Sequence, residues 1–377
     1  MPSLPVLVLL VFLVVVVIQL FFYLFFFARL AFYKRSSLKK AQANYPISII
    51  VCAFNEEANL TKNLPNLLEQ DYILNGRRNF EVVVVNDNSE DGTFFIINQL
   101  KEKYPHLRIV NLTQDAKLIP GKKFALSMGI KSARYDHMLL TDADCVPRTN
   151  QWLREMTSQF DWQKQIVLGY GPYMKQKGWL NKKIRFETLH SAIQYLSFAL
   201  AKMPYMGVGR NLAYHRELFN RNKGFSSHHH IVSGDDDLFI NQVATSQNVA
   251  VVIEPNTFMY SKAKQTEDDW KYQKKRHLST GKYYRSKHKF LLGLYAFSHF
   301  ATWLLFAVCC FFPAIIIYAA SAFVLRWLMQ WYIFQRVCGR LREGDLINYI
   351  WLFDIWLLWY NFKSLPAIFF KQKLHWK

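Results

Sequence analysis

Two aspartates one residue apart, Asp142 and Asp144, close the apolar run Met138-Leu139-Leu140. In an extended stretch alternate residues point the same way, so both carboxylates can face one cleft. Two hard oxygen donors without a third protein ligand suit Mg2+ or Mn2+, with water and phosphate in the remaining positions. A diphosphate needs such an ion, because charge builds on its leaving oxygens as the bond breaks. The plainer alternative is an aspartate capping a helix after Pro147. Further on, Asp235, Asp236 and Asp237 are adjacent. Three neighbouring carboxylates repel one another, which raises the pKa of at least one and makes it a candidate base. A solvated acidic loop is the competing reading.

Other groups stand at similar junctions. Phe54-Asn55-Glu56 and Asn86-Asp87-Asn88-Ser89-Glu90-Asp91-Gly92-Thr93 each follow an apolar run. Asp87 can accept hydrogen bonds from a base or ribose, with Ser89 or Asp91 as a helix cap. Phe54 either stacks on a base or packs in the core. Gly121-Lys122-Lys123 puts a cation at a helix start, suited to phosphate or present as a solvated charge pair. Gln273 and Arg276 lie within Gln273-Lys274-Lys275-Arg276-His277, just before an apolar region. A juxtamembrane basic patch would explain the lysines there but not the Gln273/Arg276 spacing. His228, His229 and His230 cannot all face one point on a regular element, so they read as a mobile loop near the second substrate rather than a metal site.

The elements that must position these groups alternate in type. Ile47–Cys52, Glu81–Val85, Leu107–Val110 and His137–Leu140 read as strands buried on both faces. Between them Glu56–Gln70 sets Leu60, Leu64, Leu67 and Leu68 on one helical face, and Gly92–Lys103 and Gly121–Ala133 also read as helices. Such alternation predicts an α/β domain with a parallel sheet. Ligands bind such sheets at the carboxyl ends of strands, and three of those ends carry the acids and amides above. A dinucleotide-dependent dehydrogenase is disfavoured, since no GxGxxG follows the first strand. A non-enzymatic membrane scaffold leaves the acids unexplained.

Over all 377 residues 51% are hydrophobic, 16% aromatic and 20% charged, a mixture that points to separate oily and water-soluble parts. Val6–Phe27 matches the roughly 20 residues a helix needs to cross a bilayer. A cleaved signal peptide has basic residues before a shorter apolar core. Here Arg29, Lys34, Arg35, Lys39 and Lys40 follow a long one, so a retained anchor is expected. Phe290–Leu325 is too long for one crossing and predicts two helices meeting near Pro313, the second reaching about Phe334. Ile347–Phe370 carries Asp354, Lys363 and Pro366, so it spans, kinks or lies in the interface. Arg326 and Asp354 either pair between helices or sit near membrane surfaces. The formal net charge of +20 suggests nucleic acid first. Its excess instead flanks the apolar segments at Arg29–Lys40, Lys282–Lys289 and Arg336–Arg342, as in cytoplasmic loops. Partners are therefore membrane lipid rather than nucleic acid, and the middle of the chain stays in the cytoplasm. Three further spans would place Lys371, Lys373 and Lys377 outside, a conflict that a non-spanning last segment removes. Cys52, Cys145, Cys309, Cys310 and Cys338 are scattered, without metal spacing, as suits a reducing compartment.

The ordered set over residues 46–280 resembles the family 2 inverting glycosyltransferases with the GT-A (Rossmann-like) fold. The resemblance rests on Phe54-Asn55-Glu56, the DDxSxDGT-like Asn86–Thr93 turn, Gly121-Lys122, Asp142-Ala143-Asp144, the Gly207–Ala213 segment, Gly234-Asp235-Asp236 and the QxxRW-like Gln273–His277. It implies a GT-A nucleotide-sugar-binding domain flanked by transmembrane helices: an anchor over 1–30, the catalytic domain over 46–289 and a membrane region over 290–377. Phe54, Glu56, Asp87, Lys122 and Asp142 would bind the nucleotide sugar, Asp144 with Asp142 the metal. Asp236 would be the base, with Asp235 the alternative register. Gln273, Arg276 and His277 would meet diphosphate or acceptor. The implied activity is transfer from a nucleotide sugar, a UDP-sugar by family analogy, to a lipid-linked or membrane-proximal saccharide acceptor, in a multi-pass protein of the inner or plasma membrane. The alternative is a processive polysaccharide synthase. Asn86 replaces the first acid of the family's DD pair, and His277 replaces its usual Trp.

Overall fold

The computed structural model describes residues 2–34, 45–112 and 121–369, without side chains from 364 onward. The basic residues expected at Arg35, Lys39, Lys40, Lys371, Lys373 and Lys377 lie outside the described residues.

Helix α1 (Leu4–Ala31) leads to β1 (Ile47–Ala53), α2 (Glu57–Leu68), the small β2 (Ile73–Leu74) and β3 (Arg77–Arg78) hairpin, and β4 (Phe80–Asp87). Then follow α3 (Thr93–Lys103), β5 (Leu107–Leu112), α4 (Lys122–Ser132), β6 (His137–Asp142), β7 (Cys145–Pro147), α5 (Trp152–Thr157) and β8 (Ile166–Leu168). The long α6 (Trp179–Leu200) precedes β9 (Leu212–His215), α7 (Arg216–Arg221), α8 (Asp237–Val243), β10 (Val249–Val251) and β11 (Met259–Ser261). Helix α9 (Glu267–Leu278) and three long helices end the chain: α10 (Ser286–Cys309), α11 (Ile316–Arg340) and α12 (Ile350–Phe369).

Seven strands form one sheet in the order β10-β8-β9-β6-β1-β4-β5. Period-two geometry sends alternate residues of one strand to opposite faces. Ile47, Ile49, Val51, Val82 and Val84 accordingly enter one core with Leu60, Leu64, Leu67 and Leu68 of α2. Ile50, Val83 and Val85 enter the other, against Ala125, Leu126 and Ile130 of α4. Burying each such aliphatic side chain contributes about 1.5–3 kcal/mol. Two sequence expectations need correction. The sheet is mixed, because β9 runs antiparallel to both β6 and β8. Strand β5 is an edge strand, so Arg108 and Asn111 are exposed and only Leu107 is fully buried.

The reversal of β9 positions the site. Leu212 lies opposite both Leu140 and Leu168, so β9 starts at the rim where β6 and β8 end. Everything from Gly169 to Asn211, α6 included, is an excursion that leaves and rejoins the sheet at that rim.

Among the described residues, three helices are long and apolar enough to cross a membrane: α1, α10 and α11. Helix α1 runs antiparallel to α10, with Phe12 near Phe306 and Phe22 near Tyr295. It runs parallel to α11, where Gln19 accepts from Arg326 and Phe32 faces Tyr332. Arg29, Arg336 and Arg340 thus share one end of the bundle with the α/β domain, which docks there through Phe26 stacked on Phe198 and Tyr33 Oη donating to Val251 O at 3.1 Å. Arg326 and Asp354 do pair: Nη1 lies 3.0 Å from Oδ2, both side chains are buried, and His299, Trp303 and Gln330 donate to the same carboxylate. Both charges are buried inside the helix bundle rather than exposed on its surface. Helix α12 packs on α9, its Trp356 and Tyr360 stacked on Trp270.

Candidate active site

The loops after β1 and β4 clasp each other. Asn55 N donates to Ser89 Oγ (3.0 Å), and Glu90 N to Asn55 Oδ1 (2.8 Å). Glu57 N donates to Asp91 Oδ2 and Thr93 N to Asp91 Oδ1, so one carboxylate receives the first amides of two helices. Glu57 Oε2 accepts from Gly92 N, and Thr93 Oγ1 from Glu56 N. Asp91 is therefore the helix-terminal acceptor the sequence suggested, while Ser89 holds the opposite loop. The clasp leaves Phe54, Glu56 and Asp87 facing inward, all lining one cavity of about 1440 Å3.

Asp142 and Asp144 line the same cavity. They do not lie on a continuous strand, as alternation had suggested. Strand β6 ends at Asp142, and the chain turns at Ala143-Asp144 into β7, which pairs with β11. The turn still brings one ligand atom each of Asp142, Asp144 and Cys145 within 4.8 Å of one another. The capping alternative fails, since α5 begins only at Trp152 and has no side-chain cap. Lys122 pairs with Asp142. Burial works to lower the Lys122 pKa, but Asp142 and Asp235 overcome it and hold the ammonium well above its ordinary range. Burial likewise works to raise Asp142, yet Lys122 keeps its carboxyl below the usual value. Burial and the charge of Asp142 push Asp144 up, against the opposing charge of Arg210. Burial raises Glu56 too, with Asp144 and Asp142 adding to the effect. Buried carboxylates that raise one another suit a hard cation between the two aspartates.

Lys122 is a buried ion-pair partner rather than a solvated one, and Lys123 is fully buried. Its Nζ donates to His228 O and Ile231 O, both at 2.7 Å, and burial lowers its pKa to about 8. That anchor corrects the mobile-loop reading of the histidines: His228 is buried, while His229 and His230 are exposed outside the cavity. Gly121 is required where the helix starts. Its φ is +75°, and a Cβ there would lie 2.7 Å from Val232 O.

The three adjacent aspartates divide their tasks. Asp237 is buried, accepting from Leu238 N, Thr280 Oγ1 and Tyr284 Oη, and so ties α8 to the segment after α9. Asp236 stands at the start of α8, its Oδ1 accepting from Asp237 N and its Oδ2 from Gly209 N, both at 2.7 Å. Burial, then Asp235 and Asp237, push the Asp236 carboxyl up to about 7. Gly209 permits this approach, because a Cβ would already lie 3.3 Å from Asp236 Oδ2. Asp235 and Asp236 both line the cavity, opposite the solvated-loop alternative.

Gln273, Arg276 and His277 form another wall. Gln273 Oε1 accepts from Tyr173 Oη at 3.5 Å, and Lys274 pairs with Glu187 of α6. Residues without an assigned role in the sequence also take part. Arg210 lies 4.3 Å from the Tyr173 ring centroid, donates to Ser261 Oγ at 2.7 Å and lines the cavity beside Asp142 and Asp144. Buried Arg185 binds Glu343 and Asp345, latching the loop after α11 to α6. Nothing in local spacing links residues some 160 positions apart, whereas the glycine-flanked context of Arg210 was a usable signal.

Residues 48–223 match "Glycosyl transferase family 2" and residues 138–365 match "Glycosyl transferase family group 2". The chain belongs to glycosyltransferase family 2. Among curated proteins it is 33% identical over 101 residues to "Probable glycosyltransferase YdaM" of Bacillus subtilis, covering 27% of this chain and 23% of that protein. It is also 33% identical over 101 residues to a dolichyl N-acetyl-alpha-D-glucosaminyl phosphate diacetamidodideoxyglucuronosyltransferase of Methanococcus voltae, covering 27% and 30%. These matches span under a third of either relative's length. The solved structure of mannosyltransferase PcManGT from Pyrobaculum calidifontis, in complex with GDP-Man and Mn2+, superposes with a TM-score of 0.55 over 89% of this chain and 98% of that one, at 19% identity. That likeness establishes the GT-A fold of this family 2 chain.

Proposed function

We propose that this chain is an inverting glycosyltransferase that moves a sugar from a nucleotide-sugar donor to an acceptor hydroxyl presented at the membrane. The observation that carries this reading is the shared cavity, which gathers acids from three strand ends, Asp236 and the α9 cations around one volume. The proposed units are an anchor over 1–30, a catalytic domain over 46–289 and a membrane region over 290–377. The sharing of one bundle end by the α/β domain and Arg29, Arg336 and Arg340 supports a cytoplasmic catalytic side in a multi-pass protein.

Phe54, Glu56 and Asp87 would hold the nucleotide, and Asp142 would orient its ribose or share the metal with Asp144. A Mg2+ or Mn2+ ion on these carboxylates would offset charge developing on the departing diphosphate. The Mn2+ in PcManGT supports the ion class. Lys122, Arg276 and Gln273 surround the same volume, suited to the diphosphate. Asp236, fixed by two backbone amides, would take the acceptor proton as its oxygen attacks the anomeric carbon, in one displacement with inversion. Asp235 is the alternative base, and His277 would border the acceptor sugar in place of a tryptophan.

The donor proposed is a UDP-sugar, although PcManGT binds GDP-Man. Screening UDP- and GDP-sugars for metal-dependent turnover tests both the activity and the base, and no turnover with any donor would reject the enzyme reading. A polymerase is the second reading, favoured by 31% identity over 100 residues to the poly-beta-1,6-N-acetyl-D-glucosamine synthase of Staphylococcus aureus, covering 26% of this chain and 22% of that one. Product mass decides between them: single additions defeat the polymerase.

A further inference from the structure

The catalytic cavity does not end at the α/β domain. It continues between α10 and α12, two helices at the base of the membrane bundle. On α10 it is lined by Lys289, Leu292, Gly293, Ala296, Phe297 and Phe300. Their spacing of three, one, three, one and three residues is a single helical face. The opposite face of α10, at Tyr295, Ser298 and Thr302, is buried. Leu358, Asn361 and Phe362 line the cavity from α12. The helices are tied beyond it, where His299 Nε2 meets Asp354 Oδ1 at 2.9 Å and Trp303 Nε1 donates to Oδ2 at 3.1 Å. The tie leaves the cleft standing between them on the side of the catalytic domain. Lys282 and Lys289 line the cavity where the apolar cleft meets the polar site.

We propose that the acceptor is a phosphate-bearing membrane lipid, its hydrocarbon chain lying in the α10/α12 cleft and its head reaching Asp236 past Lys289 and Lys282. This rests on the glycosyltransferase reading and names the acceptor for it. A free saccharide gains nothing from an apolar extension lined by Leu292, Phe297, Phe300, Leu358 and Phe362, whereas a lipid chain stays in surroundings like those it leaves. The two ammonium groups meet the phosphate at the level where chain gives way to head. Gly293 leaves room in the wall, for a Cβ added there meets nothing within 4 Å.

The test uses the full chain in phosphatidylcholine vesicles containing phosphatidic acid with a diazirine in its acyl chain. After irradiation, crosslinks are expected within 292–300 and 358–362, and the Lys282→Gln/Lys289→Gln pair should weaken them several-fold. Gly293→Trp projects into open space, and should cut cleft labelling about tenfold by excluding a few methylenes, with Ala296→Phe as a second obstruction. Nucleotide-sugar affinity by calorimetry should persist in both, which separates a blocked cleft from a misfolded chain. Labelling concentrated instead at the exposed Phe290, Phe311 and Ile317 would overturn the proposal. So would equal labelling by the phosphate-free diacylglycerol probe, or a polysaccharide product. If the wild type bound no nucleotide sugar while the cleft still captured the probe, the glycosyltransferase reading would fall and the lipid site would stand.

Discussion

Asp236 carries the sharpest chemistry and an explicit cost. Its carboxyl is pushed up to about 7 by burial and by Asp235 and Asp237, which keeps it basic enough to accept a proton near neutrality. A base works only when deprotonated, so kcat/KM should climb as pH rises through about 7 and level off above it; a pH–rate profile checks this. Asp236→Asn should lower kcat by about 100- to 10,000-fold while donor Kd holds, measured by steady-state kinetics with calorimetry. At this scale the sequence was informative about types and positions. Apolar runs ending in acids identified Asp87, Asp142 and Asp144, and the run of three aspartates identified Asp236, all of which the fold brings into one cavity. The division of labour was not legible. Asp237 receives Thr280 and Tyr284, residues more than 40 positions away, while Asp236 receives Gly209 N, and Lys123 differs from Lys122 in which way a helix turn points it.

Elements were legible where their hydrophobic period is strong. Strands β1, β4 and β6 and helix α2 fall within a few residues of their sequence boundaries, because Ile, Val and Leu at fixed spacing leave few alternatives. Helix α6 was not foreseen. Apolar and polar residues surround it without a clear stripe, and it is buried all round, with Arg185, Glu187 and His190 among its buried residues. Such a helix depends on partners from elsewhere in the chain. Arg185 is its anchor to Glu343, so Arg185→Met, leaving that carboxylate buried and unpaired, should destabilise by about 3–5 kcal/mol. The Arg185→Met/Glu343→Leu pair should recover most of the loss in thermal denaturation. Gly121→Ala tests the strained start of α4. A β-carbon at φ +75° and 2.7 Å from Val232 O should cost about 1–3 kcal/mol, and the displacement of Lys122 should weaken donor binding.

For the whole molecule, the basic flanks and apolar lengths gave the membrane outline. The fate of the last helix was open, because Asp354 and Lys363 leave its sequence compatible with spanning or lying flat. In the fold its Asp354 pairs with Arg326 inside the bundle, and its Trp356 and Tyr360 stack on α9. If the catalytic domain faces the cytoplasm, the α10–α11 turn faces out and carries the exposed Cys310. A membrane-impermeant maleimide should label Cys310 in sealed right-side-out vesicles and leave buried Cys145 and Cys338 unmodified; labelling only in inside-out vesicles would reverse the orientation.

The most direct measurement is nucleotide-sugar turnover by the purified full chain with Mn2+, with chelator, and with Asp144→Asn in place of the wild type. Turnover should require the ion and vanish in the folded Asp144→Asn protein. Undiminished metal-dependent turnover by that variant would contradict the gathering of these carboxylates around one cation.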